Sequence, residues 1–154
     1  MSLIVRRIMP EDVELMEPLL DMFGNAFDDV DNYSAKRPSV DYQRRLLASD
    51  YFIVLAAFKD SEIVGGIAAY DLKKFEQERS EIYIYDLAVA ASFRREGIAT
   101  AMIEKLKSIA AERGAYVIFV QADTGIEDEP AIALYTKMGV REDVLHFDIA
   151  VPVI

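Results

Sequence analysis

Two periodicities organise this chain. Apolar residues recur at helical spacing in some stretches and form short β-prone runs in others, with glycine and proline at the joins. Leu3–Ile8 reads as a first strand. Pro10-Glu11-Asp12 then opens a helix that Asp12 can cap, with Val13, Met16, Leu19, Leu20 and Phe23 on one apolar face and Gly24 as the stop. Residues 25–40 are polar and irregular, with Asp28, Asp29 and Asp31 close together. Asp41–Ala48 reads as a second, short helix. Tyr51–Phe58 and Ile63–Leu72 are apolar runs divided by Lys59-Asp60-Ser61-Glu62, which predicts a hairpin. A charged loop, Lys73–Ser80, leads to a strand at Glu81–Val89. Gly97–Arg113 is the clearest helix, with Ile98, Met102, Ile103, Leu106, Ile109 and Ala110 at helical spacing and Gly114 as its stop. Tyr116–Gln121 is the next strand and Asp123–Glu129 an acidic loop. Pro130 starts a helix that runs through Met138, and Val144–Val151 reads as a last strand. This order predicts an α/β fold, a mixed central sheet with helices on both faces. The strand–helix–strand step at 82–121 predicts a right-handed parallel crossover.

Composition narrows the class. At 154 residues, 53% apolar and 29% charged, the chain reads as one globular domain over 1–154. No apolar run approaches the ~20 residues that span a bilayer. The first seven residues lack the order of a signal peptide, which fits a cytoplasmic protein without a membrane partner. With no cysteine there is no disulfide, thiol nucleophile or thiolate metal site. The carboxylates are dispersed, so no metal site is expected. The net charge of −10 repels nucleic acid and draws in cations, although acidity also serves solubility alone.

The segment richest in candidate chemistry is 82–106. A strand ends in a polar loop, Arg94-Arg95-Glu96-Gly97-Ile98-Ala99, and a long helix follows at once. Backbone N–H groups at a helix start lack intrahelical partners, and the helix dipole favours an anion there. Gly97 permits close approach of the main chain. Arg94 and Arg95 offer charge-assisted hydrogen bonds, and Thr100 adds a hydroxyl. The bland alternative is an ordinary strand-to-helix connection with a solvated arginine pair.

The pattern Arg94-x-x-Gly97-x-Ala99 after a strand resembles the acyl-CoA signature of the GNAT superfamily of N-acetyltransferases. Asp128-x-x-Ala131-x-x-Leu134-Tyr135-Thr136-Lys137-Met138-Gly139-Val140 resembles that family's second signature, the helix that flanks the thioester. Members often carry Asn where Asp128 stands and Phe where Val140 stands. Longer segments, 51–58, 74–89, 114–123 and 144–149, are similar to one branch, the type-I aminoglycoside 3-N-acetyltransferases. The resemblance covers roughly 23–149. It implies a GNAT fold, acetyl-CoA as cosubstrate, and acetyl transfer to the 3-amino group of an aminoglycoside such as gentamicin by direct attack in a ternary complex, giving antibiotic resistance. It further implies that Leu87, Ala88 and Val89 offer backbone groups to the pantetheine arm, and that the 94–100 loop, with Ile98 and Ala99, holds the pyrophosphate. Tyr135 is then the proton donor to the departing thiolate, against the alternative of a ring packed on the sheet. Homodimers occur among such relatives.

The attacking amine must lose a proton, and a nearby carboxylate can take it. Asp86 is the first candidate: it sits in an apolar run beside the cofactor segment, where desolvation raises its proton affinity. A salt-bridged strand-end residue is its alternative reading. Glu81 and Asp123 are lower-ranked candidates for the base and, with Tyr83 and Asp148, candidates for holding the cationic substrate, with the acidic loop Asp28, Asp29 and Asp31 as a rim or merely solvated. His146, the only histidine, is assigned no role. Two rival readings stand beside this one. A GNAT acting on another cationic amine, such as a polyamine or a protein amine, would suit the same charge. The other is a non-catalytic acyl-CoA-binding module, against which Tyr135 and the intact Arg94–Ala99 loop argue.

Overall fold

A computed structural model describes residues 2–153. The chain forms two compact units, Met1–Gln121 and Ala122–Ile154. The first unit holds a five-stranded sheet in sequential order: β1 (Leu3–Arg7), β2 (Phe52–Lys59), β3 (Glu62–Lys73), β4 (Ser80–Val89) and β5 (Ala115–Val120). The first three pairings are antiparallel, and β4 with β5 is parallel. The β2–β3 hairpin turns on Asp60 and Ser61, both at positive φ (50° and 70°). Left-handed backbone at both central residues gives a two-residue turn the right twist for its strands.

Helices cover both faces of the sheet. On one face, the turn Pro10–Leu15, α1 (Met16–Ala26), α2 (Val30–Tyr33) and α3 (Val40–Ala48) bury Val13, Met16, Leu19, Met22, Phe23 and Leu47 against Phe52, Val54, Ala56 and Ala88. On the other, α4 (Ile98–Arg113) buries Ile98, Met102, Ile103, Leu106 and Ala110. Two adjacent glycines on β3 set how closely these layers approach. A Cβ on Gly65 would come within 3.1 Å of Ile98 Cγ2, and one on Gly66 within 2.7 Å of Leu19 Cδ1. Residues i and i+1 of a strand face opposite sides, so the pair admits one helix on each face.

Several element ends differ from the sequence reading. Asp12 caps the first helical turn through the chain before it: its carboxylate accepts the Met9 N–H at 3.0 Å and pairs with Arg6 at 3.1 Å. Gly24 does not stop α1, which continues to Ala26. Its missing Cβ serves packing instead, since a Cβ there would lie 3.2 Å from Tyr33 Cβ. The stretch 25–40 is not wholly irregular, because α2 forms within it. Ser39 caps α3 by accepting the Tyr42 N–H at 3.1 Å.

The second unit contains α5 (Glu129–Met138), with a proline in its first turn. Val144–Val151 carries no strand. A strand needs a neighbouring ladder for its N–H and C=O groups, and none of the described strands pairs with this segment. Leu145, Phe147 and Ile149 are 78%, 78% and 88% exposed.

Candidate active site

The site begins with a split in the sheet. β4 pairs with β3 along its whole length, but with β5 only from Ser80 to Ile84. From Tyr85 to Val89 the β5 side of β4 has no ladder partner in β5. Backbone groups of Leu87, Ala88 and Val89 that point to that side, other than the Val89 carbonyl that accepts from Arg94, are therefore available to an extended ligand. A bulge marks the split: Ala68 pairs with Asp86 and Ala69 with Ile84, leaving Tyr85 as an extra residue. One extra residue reverses the side-chain alternation. Ile82 and Ile84 are buried outside the α1-side cluster, whereas Ala88, beyond the bulge, belongs to it. Asp86 thus emerges on the α1–α2 face rather than beneath α4.

The loop after β4 ends at the N-terminus of α4. Arg95 and Gly97 both have positive φ (65° and 81°). A Cβ on Gly97 would meet nothing within 4 Å, so the backbone angle rather than crowding within the chain calls for glycine. The first intrahelical bond runs from Ala101 N–H to Gly97 O at 3.0 Å, and no side chain among the described residues caps the helix. The N–H groups of Ile98, Ala99 and Thr100 precede that bond and lack an intrahelical acceptor. Together with the helix dipole they suit a phosphate. Arg94 is exposed, yet its guanidinium donates to Val89 O at 3.1 Å and Ala26 O at 3.4 Å, tying the loop to β4 and α1. Arg95 is exposed. Glu96 pairs with Lys59. The open β4 edge and this helix start provide an extended backbone and an anion site in succession, which fits a pantetheine chain joined to a pyrophosphate.

On the α1–α2 face, Asp86 Oδ1 accepts a hydrogen bond from the Tyr33 hydroxyl at 3.0 Å. Burial pushes the Asp86 carboxyl above its ordinary value, and the Tyr33 bond opposes that only in part. Aromatic rings line the same region. Tyr70 meets Tyr85 edge-on at 6.0 Å, Tyr85 meets Tyr83 at 5.6 Å, and Tyr83 stacks on Phe119 at 4.6 Å. Burial raises Tyr83, with Tyr85 and Asp86 adding to it, so its phenol stays protonated. The arrangement is a proton acceptor inside an aromatic wall, with one neutral donor holding it.

Glu81 stands apart from Asp86 on the same strand. Glu81 is five residues along β4 from Asp86, roughly 16 Å at ~3.3 Å per residue. It accepts the Tyr116 hydroxyl at 2.8 Å and lies 3.6 Å from Lys74. Asp29 accepts from Asn32 at 2.8 Å within the acidic segment. In the second unit, Asp123 N–H donates to Asp128 Oδ2 at 2.7 Å, and exposed Asp148 pairs with His146 at 2.8 Å. Tyr135 lies on α5, where burial, with the Asp128 charge adding to it, pushes its phenol up to about 12. A phenol so raised stays protonated at neutral pH, as a proton donor must. The sequence reading missed Tyr33, Tyr70 and Phe119. The run of alternating tyrosines at 83 and 85 was the one available signal, since Tyr33 lies in a polar stretch with no periodicity.

The family model described as "Acetyltransferase (GNAT) family" matches residues 16–140. A crystal structure of an aminoglycoside acetyltransferase from an uncultured soil metagenomic sample is 70% identical, with a TM-score of 0.97 over 99% of this chain and 100% of that one. A second such enzyme from soil, solved in complex with sisomicin, is 28% identical, with a TM-score of 0.87 over 97% of each chain. N-acetyltransferase family 8 member 3 of Rattus norvegicus is 31% identical over 103 residues, 66% of this chain and 44% of that protein. The chain thus spans less than half the length of this curated relative. Members of the GNAT family use acetyl-CoA, and no helix among the described residues is long and apolar enough to cross a membrane. With the split sheet, the uncapped start of α4 and a family match that runs through both units, the chain belongs to the GNAT acetyltransferase family.

Proposed function

We propose that the protein acetylates the 3-amino group of an aminoglycoside, using acetyl-CoA by direct attack in a ternary complex. The observation that carries this reading is Asp86: a half-buried carboxylate with raised proton affinity beside the open edge of β4. The likeness to the 70% identical aminoglycoside acetyltransferase supports the substrate class. The segments that resemble type-I 3-N-acetyltransferases support the position of attack. Acetyl-CoA supplies an activated thioester, and the protein supplies position and electrostatics.

The chain's own residues then divide the work. Leu87, Ala88 and Val89 hold the pantetheine amides through their backbone. Gly97, Ile98, Ala99 and Thr100 hold the pyrophosphate at the start of α4. Arg95 adds charge, and Arg94 fixes the loop between them. Asp86 accepts the proton of the attacking ammonium, directly or through a water. Tyr135 gives a proton to the departing sulfur. Tyr83 provides part of the acceptor wall, and Asp123 and Asp148 add negative charge toward a polycationic substrate. The reading has the protein act in the cytoplasm to give gentamicin resistance. It also has the protein act as a homodimer, since the apolar residues at 144–151 are uncovered in a single chain.

The test is thiol release from acetyl-CoA with gentamicin or sisomicin, followed by assignment of the acetylated amine by NMR. A 3-N-acetyl product is expected. Acetylation of another ring amine would overturn the regiochemistry and leave the class intact. Release with polyamines or peptides but with no aminoglycoside would overturn the substrate class.

A further inference from the structure

We propose that Tyr33 is a positioning residue for the reaction: its hydroxyl holds the Asp86 carboxylate so that the second oxygen faces the acceptor amine. The inference rests on the reading of Asp86 as the proton acceptor. The contact is 3.0 Å and joins residues 53 positions apart, from α2 to β4. Nothing about it is incidental to a loop that happens to lie near. The Tyr33 ring packs on Phe23 at 6.0 Å and on Phe27 at 5.7 Å, both from the region of α1. Gly24 lets the Tyr33 Cβ close onto that helix. Arg37 donates to Tyr33 O at 3.4 Å while pairing with Asp21 and, at 3.2 Å, with Glu17. The side chain and its backbone are therefore both anchored, and the hydroxyl has little freedom to leave Asp86.

The chemistry of the pair follows from who surrounds it. The titratable or charged groups about it are Asp29 and Arg37 from the α2 segment, Tyr70 from β3, and Tyr83 and Tyr85 from β4. Among the described residues no cation pairs with Asp86 or donates to it, and the Tyr33 bond is what opposes the desolvation of its charge. Burial, with the Asp86 charge adding to it, holds the Tyr33 phenol far above its ordinary value, so it donates throughout any working pH range. A phenol that never ionises leaves the negative charge on Asp86. By occupying Oδ1 it leaves Oδ2 as the free acceptor.

The sign of the effect is fixed. A donor to the charged form lowers a carboxyl pKa, so deleting the donor raises it. The limb along which activity rises with pH should move to higher pH in Tyr33→Phe. At pH 7 kcat/KM for the aminoglycoside should fall about tenfold, the scale of one hydrogen bond to a charged group. KM for acetyl-CoA should stay unchanged, and the deficit should narrow as pH is raised.

The experiment compares pH profiles of kcat/KM for wild type, Tyr33→Phe and Asp86→Asn. If Asp86→Asn keeps the wild-type limb, Asp86 is not the acceptor and the functional reading fails. If Asp86→Asn loses the limb but that of Tyr33→Phe stays at the wild-type pH, the positioning role alone is overturned. Should Tyr33→Phe fail to fold, Phe27→Leu carries the test. It loosens the ring stack and keeps the hydroxyl, so it must move the limb in the same direction by a smaller amount; an unmoved limb overturns the proposal.

Discussion

Two aspartates on neighbouring strands show how one sheet serves two ends. Asp71 on β3 pairs with Ile82 of β4, and Asp86 on β4 pairs with Ala68 of β3, so they stand toward opposite ends of the same ladder. The Asp71 side chain is fully buried, and cations meet it: Arg113 at 2.9 Å and Lys73 at 3.1 Å. Burial works against its charge, but the Ser80 hydroxyl, Arg113 and Lys73 together outweigh burial and hold its carboxyl below the ordinary range. Arg113 is the last residue of α4 and also donates to Asp50 O at 2.7 Å, so this carboxylate anchors a helix end to the sheet. Among the described residues Asp86 meets no cation. Burial prevails and its carboxyl moves up. A buried carboxylate with cations is committed to its charge and serves the fold. One with only a neutral donor can exchange a proton and is suited to chemistry.

The largest effect that would sharpen this contrast is on turnover. Asp86→Asn keeps the shape and removes the proton acceptor, so kcat/KM should fall ~10²–10⁴-fold, the usual contribution of general acid–base catalysis. Steady-state kinetics measure it, and a loss of less than threefold would break the contrast. The next effect is on stability, and it has opposite signs at the two positions. Asp71→Asn leaves a largely buried arginine without its charge partner and should cost about 2 kcal/mol or more in urea unfolding at pH 7. Asp86→Asn should cost nothing or stabilise slightly, since it removes a desolvated charge that the fold pays to keep.

The smallest effect concerns pH. A carboxyl whose folded pKa is depressed stabilises above its unfolded value of ~3.9 and loses that contribution as pH falls through the folded pKa. The stability gap between wild type and Asp71→Asn should thus be constant above about pH 5 and narrow below about pH 4. A carboxyl with a raised pKa behaves in reverse. Any stability gained in Asp86→Asn should vanish as pH falls below the range in which both states are ionised.

Most of the fold was legible because its elements are periodic and punctuated. β2, β3, β4, α4 and α5 lie within a residue or two of where spacing, glycine and proline put them. The last strand at 144–151 was not legible, because alternation reports that a segment suits a sheet and not that a partner edge exists in the same chain. Gly24 misled for a related reason: a glycine reads the same whether it ends a helix or lets a side chain close onto one. At the site, the helix start at Gly97 and the carboxylate at Asp86 were readable as local patterns. The bulge at Tyr85 was not, since its only sign is a ladder register set across two strands. Tyr33 was invisible for the same reason, as its meaning lies in a contact 53 residues away.

The central claim is that Asp86 is a proton-exchanging carboxylate in a sheet whose other buried aspartate is locked in its charged form. Carbon-13 titration of the aspartate carboxyls in the full-length protein, with Asp71 and Asp86 assigned through their Asn variants, tests it directly. Asp86 should titrate above the ordinary aspartate value of ~3.9 and Asp71 below it. Asp86 titrating at or below Asp71 would contradict the account, because the sheet would then hold two structural anions and no base.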